Sequence, residues 1–281
     1  MAQFSQSASA DIGVSNDFST GPNDSFLVLD GDFSSTGSQV FAGGSYSFTG
    51  DNRDFSTQTM DFTGNASASS QFKRLRTSVS ASVDNVFYNE ENVPYLDYVN
   101  DEINDEFGVP TDFIVNAEAQ FTDTLQYGGT ATGYTSRYLL NLTGTITGTE
   151  AFVFIEIDHG TSGVSQDILY FEPGTYNINI ASDTFVGGPN QTFSIRLFTS
   201  FQASAFFAED GDNLTGTADF GNTLELVGVE VRDQDTNQLL SADQVVGASG
   251  ESYSVLLVPE PAAAVLVATG LALLAQRRRS A

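Results

Sequence analysis

The chain has 281 residues, 36 of them acidic and 10 basic, for a formal net charge of −26. A field of that sign repels nucleic acid and anionic membrane surfaces, and no basic stripe offsets it, so a nucleic-acid partner is excluded. The absence of cysteine excludes disulfides and thiolate metal sites, and a single histidine excludes a histidine-rich zinc site.

At the N-terminus, Met1-Ala2-Gln3-Phe4-Ser5 leads directly into polar sequence, with neither a basic n-region nor an apolar h-region. From there to about residue 258, alternating apolar and polar residues between turn clusters predict β structure nearly throughout. The clearest strands are expected over 25–29, 72–87 (broken), 113–125, 138–147, 152–157, 175–180, 192–207, 224–231 and 253–258. Turns are expected at Gly43-Gly44, Gly128-Gly129, Gly148, Gly187-Gly188-Pro189 and Asp210-Gly211. The basic cluster Lys73-Arg74-Leu75-Arg76 reads as a solvated strand face. Phe152 and Phe154 alternate with Ile155 and Ile157, which suggests a strand covered on both sides.

One segment departs from the pattern. Over 95–107, Leu96, Val99, Ile103 and Phe107 fall at helical spacing with acids between them, and Gly108 and Pro110 supply stop signals. The reading is a short acidic amphipathic helix covering an open end of the fold. Many short strands, Gly-rich turns and little helix give an all-β fold, a jelly-roll-like β-sandwich spanning 1–257 as one domain. Without Trp or Cys, and with two Met, the core must be built of Phe, Leu, Val and Ile, so the 23 Phe are expected to be mostly internal.

Candidate chemistry is sparse. His159 follows Asp158, but neighbours in a strand point to opposite faces and no G-x-S-x-G elbow occurs, so it reads as a turn histidine closing a strand. Carboxylates such as Glu156, Asp158, Glu172 and Glu209 could pair as in glycosidases, yet no spacing singles out a pair. No catalytic set is assigned. Asp210-Gly211-Asp212-Asn213 and Asp233-Gln234-Asp235-Thr236-Asn237 carry oxygen ligands at alternate positions, the pattern of a calcium loop. Gln238 stands where the second loop would need its turn Gly, and Asp/Asn-rich hairpin turns are the competing reading.

The C-terminus is built differently. Pro259-Glu260-Pro261 precedes an apolar run, 262–275, which is followed by Gln276 and Arg277-Arg278-Arg279. As a helix, 14 residues span roughly 21 Å, short of a hydrocarbon core of about 30 Å unless flanking residues extend it and the Arg side chains snorkel. Three Arg after an apolar run place that end in the cytoplasm and the preceding chain outside it. Upstream, Thr217-Ala218-Asp219-Phe220-Gly221-Asn222-Thr223-Leu224 and Gly247-Ala248-Ser249-Gly250-Glu251-Ser252-Tyr253 complete the pattern. Asp219 and Asn222-Thr223 are expected to fix a turn before a strand.

This arrangement resembles the C-terminal region of PEP-CTERM proteins, exported bacterial proteins processed by an exosortase. The resemblance covers about the last 65 residues. It implies that 258–281 is a sorting signal, with Pro259, Glu260 and Pro261 as its motif, a hydrophobic helix in the inner membrane before processing, and Arg277, Arg278 and Arg279 as its basic stop. It also implies cleavage near the motif, a destination at the cell surface or outside the cell, and association with extracellular polysaccharide and biofilm. Export requires an entry signal, so one is expected upstream of Met1. The expected role is a non-enzymatic surface or matrix protein. The alternative is a secreted carbohydrate-binding jelly-roll module, with Tyr95, Tyr98, Tyr127 and Tyr134 as loop candidates for a sugar platform.

Overall fold

A computed structural model describes residues 4–15, 26–51, 57–87, 112–128, 131–160 and 164–253. The expected acidic helix over 95–107, the entire 258–281 tail and its expected hydrophobic helix lie outside the described residues. What is described is two antiparallel sheets packed face to face, a β-sandwich.

The strands are β1 (Ser5–Ser15), β2 (Phe26–Ser34), β3 (Val40–Asp51), β4 (Thr57–Gln71), β5 (Arg74–Asp84), β6 (Asp112–Tyr127), β7 (Tyr134–Thr147), β8 (Ala151–His159), β9 (Val164–Tyr170), β10 (Gly174–Ala181), β11 (Phe185–Gly187), β12 (Asn190–Ser204), β13 (Leu214–Asp233) and β14 (Val245–Gly247). The first sheet runs β2-β1-β6-β12-β8-β9, with β14 added to β6. The second runs β10-β7-β13-β5-β4-β3, with β11 added to β7. The first sheet's β1 and β6 lie over β4 and β5, and β12 and β8 over β13 and β7. The chain crosses between sheets at most connections, so neither sheet exists without the other.

Alternation sets which residues face inward. Along β6, Phe113, Val115, Ala117, Ala119 and Phe121 are buried while the residues between them are half-exposed. The same holds in β8, where Ile155 and Ile157 point into the core and Phe152 and Phe154 lie on the outer face. Rings interlock across the gap, as in Phe62 with Phe113 at 5.1 Å and Tyr138 with Phe193 at 4.8 Å between centroids. Each such buried side chain contributes about 1.5–3 kcal/mol.

Several expectations change. The strands at β1, β3, β4 and β9 were not legible as such: Ser, Thr, Gly and Ala dominate the first three and give weak alternation, while β9 is an edge strand with no fully buried residue. Gly43 and Gly44 lie inside β3, paired with Asn65 and Gly64, so they make no turn. Tyr127 and Tyr134 end their strands buried, at 7% and 1% exposure, and offer no loop platform; Tyr95 and Tyr98 lie outside the described residues. Phe is less internal than composition requires, since Phe4, Phe33, Phe41, Phe171 and Phe207 are exposed.

The segment around Asp219 is a bulge within one long strand, where a turn ahead of a strand was expected. The register of β13 against both neighbours shifts between Asp219 and Leu224, Asp219 Oδ1 accepts the Gly221 amide at 3.0 Å, and Thr223 adopts a φ of 143°. Gly144 lies opposite this bulge. A Cβ there would sit 2.3 Å from Phe220 Cδ1 and 2.5 Å from the Asp219 carbonyl oxygen. Gly144→Ala is therefore expected to lower stability by about 1–3 kcal/mol, read as a lower urea midpoint with an unchanged m-value.

Candidate functional site

The most strongly constructed cluster is at the end of the sandwich where the described chain stops. Asp123 occupies an inward position of β6, between Phe121 and Leu125, and is fully buried. A lone carboxylate there must be supplied with donors. Its Oδ1 accepts the amides of Thr124 at 2.7 Å and Ser249 at 3.3 Å. Its Oδ2 accepts the Ser249 hydroxyl at 2.7 Å and the Tyr253 phenol at 2.6 Å.

Residues 245–253 bring those donors in. β14 pairs with the end of β6, Val245 opposite Tyr127, and the Ala248 amide continues the ladder to the Thr124 carbonyl. The chain then reverses in a turn closed by the Gly250 amide on the Gly247 carbonyl, with Gly250 at φ 84°. A Cβ on Gly247 would fall 2.3 Å from Asp123 Oδ2 and 2.5 Å from the Tyr253 ring, so glycine is required there. Tyr253 packs edge-on against Phe193 at 5.7 Å and Phe72 at 5.5 Å. Burial, with the Asp123 carboxylate beside it, pushes its phenol well above the usual range.

This segment also reaches the second sheet. The Val229 amide of β13 donates to the Tyr253 carbonyl at 2.8 Å. Lys73, in the β4–β5 turn at φ 61°, donates from Nζ to the Ser252 carbonyl at 2.7 Å and lies 4.7 Å from the Tyr253 ring centre. Burial lowers the Lys73 ammonium's pKa, against the pull of Glu251 and Glu225. Arg74 pairs with Glu225 at 3.2 Å, and Leu75 is buried. The basic cluster is thus divided among a strap contact, a surface ion pair and the core.

A second buried polar cluster surrounds His159, which ends β8 and points inward, fully buried, while Asp158 lies on the opposite face. Its ring stacks on Phe185 at 5.2 Å, and Nε2 lies 2.8 Å from Gln191 Oε1, which also accepts the hydroxyls of Tyr127 at 2.7 Å and Ser136 at 2.9 Å. Since that oxygen only accepts, Nε2 carries the proton. Burial pushes the Tyr127 and Tyr138 phenols well above the usual range, with Ser136 opposing it. This is a core network at the β7–β8–β12 junction.

The two acidic loops are placed apart from one another in the chain's connections and are organised as turns. Asp233 Oδ1 accepts the amides of Thr236 and Asp235, both at 2.9 Å, and these bonds hold its carboxyl below the usual range. Asn237 follows at φ 58°, with its amide on the Asp233 carbonyl. In the other loop, Asp212 Oδ2 caps the Glu209 amide at 2.9 Å around Gly211 at φ 91°, and Asp210 is exposed. Among the described residues no group of three or more His, Asp or Glu is positioned to share a metal ion. Glu156 is engaged by Arg196, while Glu172 and Glu209 lie in separate connections.

Pro259, Glu260, Pro261, Arg277, Arg278 and Arg279 lie outside the described residues. Asp123 was not singled out by sequence, although a signal exists: it occupies the inward phase of an otherwise apolar alternation. No protein-family model matches this chain, and no curated protein matches it.

Proposed function

We propose that this is an exported, non-enzymatic surface or extracellular-matrix protein, processed at its C-terminus by an exosortase. The observation that carries the reading is the order of parts at the end of the chain. The Asp123 clasp closes at Tyr253, five residues follow, and then come Pro259-Glu260-Pro261, the apolar run and the three Arg. A clasp so near the motif suits a tail that is handled and removed while the sandwich ahead of it stays folded. The strongly acidic charge supports solubility outside the cell.

The test is expression of the full chain behind a secretion signal in a host with an exosortase and in the same host lacking it. Intact-mass measurement should find a product ending between Tyr253 and Ala262 only where the enzyme is present. A full-length protein in both hosts would sink the reading.

A second reading, a carbohydrate-binding module on a jelly-roll-like sandwich, is favoured by the chain's crossing between sheets at most connections and by an outer sheet face that carries one exposed and several half-buried aromatic rings among carboxylates.

A further inference from the structure

The outer face of the first sheet carries an aromatic band for which the sorting role has no use. One cross-strand row takes a residue from each of six strands: Phe33, Ser9, Glu118, Phe198, Phe154 and Leu169. Directly paired residues share a face, and at ordinary strand spacing the row is about 24 Å long. Its ends are open, with Phe33 67% and Leu169 51% exposed. At its centre the Arg196 guanidinium lies 5.7 Å from the ring centres of both Phe154 and Phe198, held by Glu156 at 3.3 Å and Glu118 at 3.7 Å. Alongside, Asn116 donates to Asp11 Oδ2 at 3.0 Å and accepts from the Ser200 hydroxyl at 2.8 Å.

We propose that this face binds a neutral polysaccharide, laid across the strands with its C–H faces on the rings and its hydroxyls on the flanking carboxylate and amide groups. The inference rests on the glycan-binding reading above and names its site. Charge selects the occupant. A net −26 opposes polyanions and a second copy of the chain, and Arg196, shared between Glu118 and Glu156, offsets one of the two charges nearest the rings, so a neutral chain stacked on the rings suits the face better than an anionic one, with polylysine testing the cationic occupant. The side chains are already held by one another, so binding orders little that is mobile.

The experiment uses the full chain in affinity electrophoresis and calorimetry against dextran and a neutral β-glucan, with alginate and polylysine as the anionic and cationic arms. Expected is binding to a neutral polymer that is insensitive to salt from about 50 to about 500 mM. The double variant F154L/F198L keeps apolar packing but removes the ring faces, and should bind at least tenfold more weakly with an unchanged melting midpoint. Phe33→Leu, at an exposed end of the row, should weaken binding about threefold even if the double variant proves unstable. Phe207→Leu, in the β12–β13 connection, should change nothing. Undiminished binding by Phe33→Leu and F154L/F198L would overturn this face while leaving the glycan-binding reading intact. Binding to neither neutral polymer, or to polylysine or alginate alone, would overturn both.

Discussion

Asp123→Ala should lower the unfolding free energy by about 3 kcal/mol or more, and the melting midpoint by roughly 6–12 °C, followed by circular dichroism. The substitution leaves a small void and strands the donors of Ser249 and Tyr253 in a buried site, with no acceptor in their place. Tyr253→Phe, which removes one of the donors, should cost about 1.5–3 kcal/mol. The double change should cost clearly less than the sum, because both substitutions break the same bond. Additive losses would show that the carboxylate and the phenol act independently and that the clasp is not a unit. The larger consequence is for the last described segment. Residues 245–253 join β6 in one sheet to β13 and the β4–β5 turn in the other, so loosening Asp123 should also raise amide exchange at Val229 and Ala248.

Alkaline pH should unfold the protein cooperatively above the ordinary tyrosine range. Tyr127, Tyr138 and Tyr253 all have phenols raised by burial, with Asp123 adding to the rise at Tyr253. A group whose folded pKa exceeds its unfolded value contributes stability that is complete below the unfolded pKa, about 10 for tyrosine, and is lost as pH climbs toward the folded value. In an absorbance titration of phenolate, exposed tyrosines should ionise smoothly, and the buried set should appear only in a step coincident with loss of the β signal. Tyr138→Phe removes one group from that linkage and should shift the step to higher pH. A single smooth titration with the β signal intact would contradict the burial of these phenols.

Legibility differed by region for physical reasons. The strands around Phe113, Tyr138 and Thr192 could be read from large apolar residues recurring at alternate positions, and the one around Phe152 from a short continuous apolar run, and both signals are local. β1, β3 and β4 were opaque because their inward positions hold Ala, Gly and single large residues such as Ile12, Met60 and Phe62, too thinly spaced to show a period. At Asp219 the turn chemistry was real but its setting was not, since Asp and Gly that favour a turn also accommodate a bulge when strands lie on both sides. The acidic loops followed the same logic, with Asp233 serving the backbone of its own turn.

The sequence by itself determined the all-β class, the inward and outward faces of the strongly alternating strands, the strongly acidic charge, and the order of parts in the C-terminal tail. Each follows from composition or from a period of two. Only the tertiary structure decided that Asp123 meets Ser249 and Tyr253, the latter 130 residues away, that Lys73 closes over the same segment, and that Phe33, Phe198, Phe154 and Leu169 fall in one row. Those are consequences of strand order and register, and no local pattern carries the information about which strand ends will meet.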